Sequence, residues 1–416
     1  MTDRRTVGVV GAGVVGLCAA RYLQRDGHRV TIVDPVPPGE NCSFGNAGSF
    51  STSSILPNAS IGVLKKVPKW LMDPTGPLAL RYSYLPRMVP WLADFIRSAS
   101  PDWADKCAVA LASAYRSGYD DMLGLLQHSG GAGLVDKRGM LYAYESVANR
   151  DADRGGFDKR ASFGFTMDYL DENQLREIEP ALSARFKAGI FCPDHGMTFD
   201  PEAVVKNLAE GFVRDGGTIN ASRLTGLRHD GPRIAGIETD AGPLDLDVLV
   251  VAAGAWSGRI AEMVEDHVLL EAERGYHVTA PNHGTDMKVP ATWSEKKVVM
   301  TPMRMGLRLA GTAEFGGLDA PPDPKRTELL RWMMREMATG VNLEGSTEWM
   351  GRRPATSDSL PVIGPSPRVQ GMYYAFGHGH LGLTGAAPTG RLIADLVAGR
   401  EAPAFDPAPF SIERFL

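Results

Sequence analysis

The feature that most constrains the fold of this chain is a glycine pattern near its start. Residues 11–16 read GAGVVG, directly after the apolar stretch of residues 6–10. Glycines in the spacing GxGxxG predict a buried strand, a tight turn and a helix that begins near Val14. A second apolar stretch, HRVTIVD, ends in Asp34, eighteen residues after the last of these glycines. This order of parts predicts the βαβ unit that opens a Rossmann-like, dinucleotide-binding domain.

The start of the chain also carries a competing pattern. Arg4 and Arg5 precede the apolar run, and a basic stretch followed by an apolar one is typical of a secretory signal. The glycine spacing and the strand that follows favour the βαβ interpretation instead. No other apolar run approaches the roughly 18 residues that a membrane-spanning helix needs.

Length, charge and cysteine content narrow the class of protein. A chain of 416 residues is long for one core, so two domains are expected. A net charge of −5 gives no reason to expect nucleic acid as a partner. The cysteines are scattered and form no CxxC pair, which argues against a disulfide framework and a zinc site and fits a reducing, cytoplasmic compartment. We therefore predict no metal site.

The glycine-rich turn predicts contacts to a dinucleotide. In this unit the first glycine permits the tight turn, the second lets the backbone approach a pyrophosphate, and the third lets the helix pack on the strand. The carboxylate after the second strand can accept hydrogen bonds from a ribose and disfavours a 2′-phosphate, so NADP is not expected. NAD and FAD both remain compatible with this unit. The cofactor-binding residues predicted here are Gly11, Ala12, Gly13, Val14, Val15, Gly16 and Asp34.

Three segments outside the first 35 residues favour FAD. Residues 41–50, NCSFGNAGSF, are small enough to let backbone approach a flat ligand. Residues 244–257, LDLDVLVVAAGAWS, predict another strand of the same sheet, and its small end should face the ligand crevice. Residues 377–400 predict a glycine-rich loop and a helix capped by Gly399. The free N–H groups of that helix could hold the electron-rich edge of a flavin.

Eight motifs in order resemble those of one enzyme family. They are GAGVVG with Asp34, CSFGNAG, DPEAVVKNLAEGF, VLVVAAGAWS, ERGYHV, TPMRMGLRLAGTAEF, GRRPATSDSLPVIG and GHGHLGLT. From about residue 6 to about residue 400 the chain resembles the FAD-dependent D-amino acid oxidase superfamily, and within it most resembles the bacterial D-amino acid dehydrogenases.

The resemblance implies an α/β fold with two domains. A discontinuous, Rossmann-like FAD-binding domain is expected from residues 1–58, 196–256 and 346–416. A mixed-sheet substrate domain of α+β type is expected from residues 59–195 and 257–345. The FAD should be bound non-covalently, because the segment GRRPATSD lacks the cysteine that attaches flavin in the sarcosine oxidase branch.

The resemblance also assigns further cofactor residues. It places the residues of the CSFGNAG segment along the isoalloxazine ring and a backbone contact to adenine at Leu224. The small end of the 244–257 segment and the loop before the last helix complete the set. These residues are Ser43, Asn46, Ala47, Gly48, Leu224, Ala253, Gly254, Trp256, Gly379, His380, Leu381, Gly382, Leu383 and Thr384.

A substrate that carries a carboxylate needs a cation with fork geometry, which favours arginine. The family places a carboxylate-binding arginine at the GRRP motif, and Arg353 is the predicted residue. The alternative for Arg353 is a structural salt bridge. Tyr276 is predicted to close over the substrate with its hydroxyl, and His277, on the opposite face of the same strand, is a candidate for catalysis or for packing.

The resemblance implies oxidation of a D-amino acid at its α-carbon to the imino acid, with electrons passed to a quinone, the respiratory chain or O₂. The substrate class is a small carboxylate-bearing amine. Alternative substrates are a cyclic imino acid, such as D-proline or cis-4-hydroxy-D-proline, and an opine. Another alternative is a flavin-bearing subunit of a larger complex. Lysines and tryptophan mixed in residues 61–103 indicate either a packed cap over the site or a peripheral contact with the inner membrane.

Overall fold

The predicted α/β fold is confirmed by the computed structural model, which describes residues 4–416 and contains two large sheets. Residues 1–3 of the predicted segment 1–58 lie outside this range. The helices of the described chain are α1 (Val14–Arg25), α2 (Ile61–Met72), α3 (Leu85–Arg97), α4 (Pro101–Tyr115), α5 (Gly118–Ser129), α6 (Val147–Ser162), α7 (Glu172–Ile178), α8 (Pro201–Arg214), α9 (Ser257–Ala261), α10 (Pro324–Met337) and α11 (Gly382–Ala398).

The strands of the described chain form both sheets and two smaller ones. They are β1 (Thr6–Val10), β2 (Arg29–Val33), β3 (Ser49–Phe50), β4 (Leu78–Leu80), β5 (Val135–Asp136), β6 (Met140–Tyr144), β7 (Asp168–Leu170), β8 (Ala188–Cys192), β9 (Gly196–Thr198), β10 (Thr218–Asn220), β11 (Leu224–Asp230), β12 (Arg233–Thr239), β13 (Leu244–Asp245), β14 (Val248–Val251), β15 (Leu270–Ala280), β16 (Ala291–Trp293), β17 (Val298–Met303), β18 (Gly306–Phe315), β19 (Thr347–Thr356), β20 (Val362–Pro365) and β21 (Met372–Phe376).

The first sheet contains the predicted βαβ unit. Its six strands run in the order β10-β2-β1-β14-β21-β20. Strand β1 lies inside the sheet and pairs in parallel with β2 and with β14. Val7 and Val9 are fully buried, as expected for a strand covered on both faces. Helix α1 begins directly after Gly13, which is its N-cap, so the strand–turn–helix prediction is confirmed.

The second sheet is mixed, as predicted, and has nine strands. Strands β19, β15, β18 and β17 form an antiparallel run, and β16 then pairs in parallel with β6. Helix α10 packs on one face of this sheet, where Leu330 and Met334 join a buried cluster with Val278. The other face is turned towards the first sheet through contacts to the 43–48 loop, which are described below.

The strands of the first sheet come from three separate stretches of chain, but the last stretch begins later than predicted. Strand β19 pairs along its whole length with β15 of the second sheet. The chain therefore returns to the first sheet only at β20, and the predicted boundary at residue 346 is too early. The cause is the cross-strand pairing, which assigns GRRPAT to the second sheet.

Residues 59–130 contain the helices α2 to α5. Helix α2 has no fully buried residue. Its apolar side chains line the cavity that is described below: Val63, Leu64, Val67 and Trp70. Its lysines are exposed: Lys65, Lys66 and Lys69. Within residues 4–416, no helix has both the length and the apolar character to cross a bilayer.

The close crossing of α1 and α11 gives a test of the packing. A Cβ at Gly390 would lie 2.6 Å from the carbonyl carbon of Cys18, so Gly390→Ala should lower the free energy of unfolding by about 1–3 kcal/mol. The matched control is Gly124→Ala in α5, where a Cβ has open space and alanine should stabilise by up to about 1 kcal/mol. Urea unfolding followed by tryptophan fluorescence measures both. Equal stability of the two variants would contradict the packing.

Candidate active site

A large cavity of about 1090 Å³ extends from the GxGxxG turn to the second sheet. Most of the residues predicted for the cofactor and substrate line it. Four predicted residues do not line it: Gly16, Gly48, Thr384 and His277. Those that line it are Gly11, Ala12, Gly13, Val14, Val15, Asp34, Ser43, Asn46, Ala47, Leu224, Ala253, Gly254, Trp256, Tyr276, Arg353, Gly379, His380, Leu381, Gly382 and Leu383.

The turn after β1 is shaped by glycines for steric reasons. Gly11 has a φ of 117°, and a Cβ there would lie 2.3 Å from the carbonyl oxygen of Ala252. A Cβ at Gly16 would lie 2.0 Å from the carbonyl oxygen of Gly11, so this glycine allows α1 to pack on the turn. Gly13 lines the cavity, and a Cβ there would meet only the Ser43 hydroxyl, at 3.5 Å. A side chain at Gly13 would therefore occupy part of the cavity beside the start of α1.

Asp34 and Ser43 both hold the start of α1. Asp34 Oδ2 accepts a hydrogen bond of 2.7 Å from the Ala12 N–H, and its Oδ1 accepts one of 2.8 Å from Val36 N–H. Ser43 Oγ accepts a hydrogen bond of 3.0 Å from the Val14 N–H. The prediction placed Ser43 along the isoalloxazine ring. Its hydroxyl instead lies at the helix N-terminus, which is where a pyrophosphate binds in this type of fold.

The 43–48 loop is held to the second sheet through its carbonyl oxygens. Arg308 Nη1 donates to the carbonyl oxygens of Phe44 and Asn46 at 2.8 and 2.9 Å. Thr301 Oγ1 donates to the carbonyl oxygen of Ala47 at 2.8 Å. Arg308 is 1% exposed, and burial lowers its pKa to about 10. The carbonyl oxygens of the loop accept the hydrogen bonds that water would otherwise accept from this buried guanidinium. The same hydrogen bonds hold the loop in place along the cavity.

His277 supports the same loop. Its ring stacks on Trp349 at a centroid distance of 5.1 Å, and Nδ1 lies 3.3 Å from the carbonyl oxygen of Gly45. The side chain is 2% exposed, and burial lowers its pKa to about 3, so the ring is neutral at neutral pH. Because His277 does not line the cavity, the structure favours packing over catalysis for this residue.

Arg353 lies in the cavity beside a carboxylate. Its Nη1 donates to Glu273 Oε1 at 2.6 Å and to the carbonyl oxygen of Thr312 at 3.2 Å. A Cβ at Gly275 would lie 2.3 Å from Arg353 Nη2, so the guanidinium lies directly over that glycine. Glu273, Gly275 and Arg353 all line the cavity. Neighbouring strands β15 and β19 thus present a cation and an anion side by side.

Tyr276 is placed differently from the prediction. Its hydroxyl donates to Glu314 and accepts a hydrogen bond of 3.0 Å from the Asp323 N–H. The side chain is 1% exposed, and burial raises its pKa to about 12. Tyr276 still contributes to the lining of the cavity, beside Glu273 and Gly275. Its hydroxyl, however, is engaged within the second domain by Glu314 and Asp323, which disfavours the predicted closure over a substrate.

The loop before α11 completes the cavity. Gly379 has a φ of 54°, which a glycine adopts without strain, and His380 follows it. Burial lowers the pKa of His380, whereas nearby Glu273 raises it and Arg353 lowers it. Thr384 was predicted to contact the cofactor. Its hydroxyl instead accepts a hydrogen bond of 3.0 Å from the Ser51 N–H, and the residue is 1% exposed. Thr384 thus connects α11 to the segment that follows β3.

The residues present fit FAD. The start of α1, with Ser43 and Asp34 beside it, offers N–H groups and hydroxyl and carboxylate oxygens suited to a pyrophosphate and a ribose. The cavity continues past Asn46 and Ala47 to the loop before α11. Beyond the helix N-terminus it therefore offers space for the isoalloxazine ring of FAD. Among the described residues, no cluster of three or more histidine, cysteine or acidic side chains could hold a metal ion.

A family model described as FAD dependent oxidoreductase (DAO) matches residues 6–396. The chain belongs to this family. The chain is also similar over its whole length to "D-amino-acid oxidase" of Bradyrhizobium diazoefficiens, with 38% identity and 100% of both chains covered. It is 32% identical to "D-amino acid dehydrogenase 2" of Ralstonia nicotianae, over 98% of this chain and 99% of that protein.

Solved structures share the fold of this FAD dependent oxidoreductase. The glycine oxidase of Geobacillus kaustophilus aligns with a TM-score of 0.75 at 22% identity, over 100% of both chains. The glycine oxidase of Bacillus cereus aligns with a TM-score of 0.72 at 18% identity, over 96% of each chain. The identities are low, so these likenesses concern the fold alone.

Two residues of the site were not singled out from the sequence, although both stand in quoted motifs. Glu273 opens ERGYHV, and Arg308 stands in GLRLAG. Residues two apart in a strand lie on the same face, so Glu273 and Gly275 share a face of β15. A glycine inside a strand often marks a close approach by another group. That signal could have pointed to Glu273. Arg308 had no comparable signal, because its partners are carbonyl oxygens of a distant loop.

The loop anchor leads to a prediction about cofactor affinity. Arg308→Met should leave the carbonyls of Phe44 and Asn46 without their donor, which costs about 1–3 kcal/mol and should raise the FAD dissociation constant about tenfold to hundredfold. Titration of apoprotein with FAD, followed by flavin fluorescence, measures the change. Arg331→Met on α10, whose partners are Glu328 and Glu348, is the control and should bind FAD normally. Equal affinities would contradict the role of Arg308.

Proposed function

We propose that this FAD dependent oxidoreductase oxidises a D-amino acid at its α-carbon to the imino acid. The observation that carries the proposal is the pair of opposite charges formed by Arg353 and Glu273 in the cavity. An α-amino acid carries a carboxylate and an ammonium group on one carbon. A cation and an anion 2.6 Å apart on neighbouring strands complement that head group.

Arg353 is suited to the carboxylate. A guanidinium offers two parallel N–H donors, which match the two carboxylate oxygens better than an ammonium does. Its guanidinium is held in place by the carbonyl oxygen of Thr312 and by Glu273. Glu273 is suited to accept a hydrogen bond from the substrate amine, and in this way both ends of the head group are oriented.

The reaction removes a hydride from the α-carbon and a proton from the nitrogen, so that a C=N bond forms, and water then hydrolyses the imino acid to a keto acid and ammonia. Bound FAD supplies the hydride acceptor. The chain's own residues orient the head group and exclude competing water. Helix α2 contributes to that exclusion, because its apolar side chains line the cavity.

The D configuration of the substrate is supported by the similar proteins, two of which carry the names D-amino-acid oxidase and D-amino acid dehydrogenase 2. One of these names is an oxidase and the other a dehydrogenase, so two kinds of electron acceptor are compatible with them: O₂, and a quinone or the respiratory chain. We favour a quinone or another carrier, as in the dehydrogenases.

The protein then acts on the cytoplasmic side of the inner membrane, which it contacts through the exposed lysines of α2, Lys65, Lys66 and Lys69.

Anaerobic mixing of the FAD-loaded protein with single amino acids tests the reaction. The compounds are D- and L-amino acids, D-proline, cis-4-hydroxy-D-proline, sarcosine and an opine, and flavin absorbance is followed. Rapid bleaching by a D-amino acid and not by its L enantiomer is expected. Bleaching by the L enantiomer alone, or by no compound at all, would contradict the proposal, and the second result would favour a subunit that requires a partner. Admitting air afterwards distinguishes an O₂-using oxidase from a dehydrogenase.

The role of Arg353 is testable by kinetics. Arg353→Met should raise KM for carboxylate substrates about tenfold to hundredfold, because a charge-assisted contact to the carboxylate is lost. FAD should remain bound, since the fingerprint turn is unchanged. Arg331→Met is again the matched control and should keep the wild-type KM. An unchanged KM in Arg353→Met would remove Arg353 from the substrate site.

The membrane contact is testable by sedimentation with vesicles of anionic phospholipid. Wild-type protein should bind at low salt and be released as salt increases, because the attraction of exposed lysines to anionic lipid is screened. Replacing Lys65, Lys66 and Lys69 by glutamine should abolish binding. The control replaces three exposed lysines elsewhere, Lys187, Lys288 and Lys325, and should bind normally. Equal loss in both triple variants would contradict a contact through α2.

A further inference from the structure

The end of the cavity formed by the second domain has more positive than negative charge. Four cations line this end, Arg160, Lys297, Arg352 and Arg353, together with one carboxylate, Glu273. Arg352 is engaged by the carbonyl oxygen of Leu318 and by the Trp256 ring. Arg353 and Glu273 form a salt bridge of 2.6 Å. Neither Arg160 nor Lys297 forms a salt bridge to any residue in the described range 4–416. Neither cation therefore has a direct ion-pair partner within the part of the chain that the structure describes.

Arg160 lies in the last turn of α6 and is held by aromatic rings. Its guanidinium lies 4.6 Å from the ring centroid of Phe157 and 5.9 Å from that of Tyr142. Nε and Nη1 are buried and have no hydrogen-bond partner among residues 4–416. Two buried guanidinium nitrogens without an acceptor carry a desolvation cost, so an acceptor from a bound molecule would stabilise them.

Lys297 lies in the turn between β16 and β17. Its backbone has a φ of 55°, and the N–H donates to the carbonyl oxygen of Trp293 at 2.9 Å, which fixes the turn. The side chain is exposed and lines the cavity. Desolvation by the surrounding protein lowers its pKa, Asp153 and Glu295 raise it, and Arg160 lowers it further. Glu295 forms no salt bridge with Lys297: its Oε1 accepts hydrogen bonds from Glu145 N–H and Asn149, and its Oε2 is buried without a hydrogen-bond partner among residues 4–416.

Arg160 and Lys297 belong to the same neighbourhood as the predicted carboxylate site. The charges of Glu273, Arg353 and Arg160 all act on His380, whose side chain lines the cavity. Thr292, on β16 five residues before Lys297, is 6% exposed, lines the cavity and has a hydroxyl without a partner in the described chain. The start of α1 would hold the pyrophosphate of FAD, so the pyrophosphate would not account for these groups.

We propose that the substrate carries a second anionic group, which Arg160 and Lys297 bind while Arg353 holds the α-carboxylate. The inference rests on the proposed function and names its substrate class, an amino acid with a second carboxylate. That carboxylate can belong to the side chain, as in D-aspartate and D-glutamate, or to a substituent on the nitrogen, as in an N-carboxyalkyl amino acid. The shared chemistry is a dicarboxylate whose two ends meet separate cations.

Steady-state kinetics of the FAD-loaded protein with matched substrate pairs tests the inference. D-Aspartate and D-glutamate are compared with the neutral isosteres D-asparagine and D-glutamine, and N-carboxymethyl-D-alanine with N-ethyl-D-alanine. The acid of at least one pair should exceed its neutral counterpart in kcat/KM about tenfold or more. Oxidation of D-alanine without any preference for an acid would overturn this inference and leave the proposed function intact. Oxidation of none of these compounds would overturn this inference, and the absence of oxidation of any other D-amino acid would overturn the proposed function as well.

Charge-removing variants locate the second site. Arg160→Gln and Lys297→Gln should each raise KM for the preferred acid about tenfold and leave KM for its neutral isostere within about twofold. The matched controls are the sequence neighbours Lys159→Gln and Lys296→Gln, whose side chains pair with Asp105 and Asp73 and do not line the cavity. Equal effects in variants and controls would overturn the assignment.

Binding without turnover gives a second measurement. Glutarate should perturb the flavin spectrum of the loaded protein at concentrations about tenfold or more below those of butyrate, and the preference should disappear in Arg160→Gln. The FAD dissociation constant of Arg160→Gln and Lys297→Gln should equal that of the wild type. A tenfold loss of FAD affinity in these variants would overturn the inference, because the two cations would then serve the cofactor.

Discussion

The buried guanidinium of Arg308 connects the two halves of the molecule. It belongs to a strand of the second sheet, yet its acceptors are carbonyl oxygens of the loop that follows β2 of the first sheet. A buried arginine is costly unless its donors are satisfied, so the loop and the sheet have to keep this arrangement together. The cavity lies between them. The position of the loop, the shape of the cavity and the approach of Arg353 to it therefore depend on this contact.

Features that depend on local sequence could be predicted. The GxGxxG turn and Gly399 as the left-handed C-cap of α11 each require only neighbouring residues. Features that depend on distant pairing could not. Strand β19 belongs to the second sheet because β15 pairs with it. The hydroxyl of Tyr276 is engaged by Glu314 and Asp323, which are distant in sequence, so the sequence favoured Tyr276 for the substrate where the structure offers Glu273.

Charge is distributed unevenly along the cavity, and the distribution follows the fold. The first sheet offers a helix N-terminus with Ser43 and Asp34, which is suited to a phosphate and a ribose. The second sheet offers an ion pair, Arg353 with Glu273, and beyond it the cations Arg160 and Lys297. A cofactor that is anionic at one end and a substrate that is anionic at the other suit this arrangement. Each domain thus supplies the charges for one of the two ligands.

The role of Arg353 as the carboxylate-binding residue can be tested by a crystal structure of the FAD-loaded protein with propionate, an unreactive carboxylate. We expect FAD to extend from the GxGxxG turn along the 43–48 loop and the carboxylate of propionate to lie within hydrogen-bonding distance of the Arg353 guanidinium. Propionate bound elsewhere in the cavity, with Arg353 still engaged only by Glu273 and Thr312, would instead make that arginine a structural residue of the second sheet.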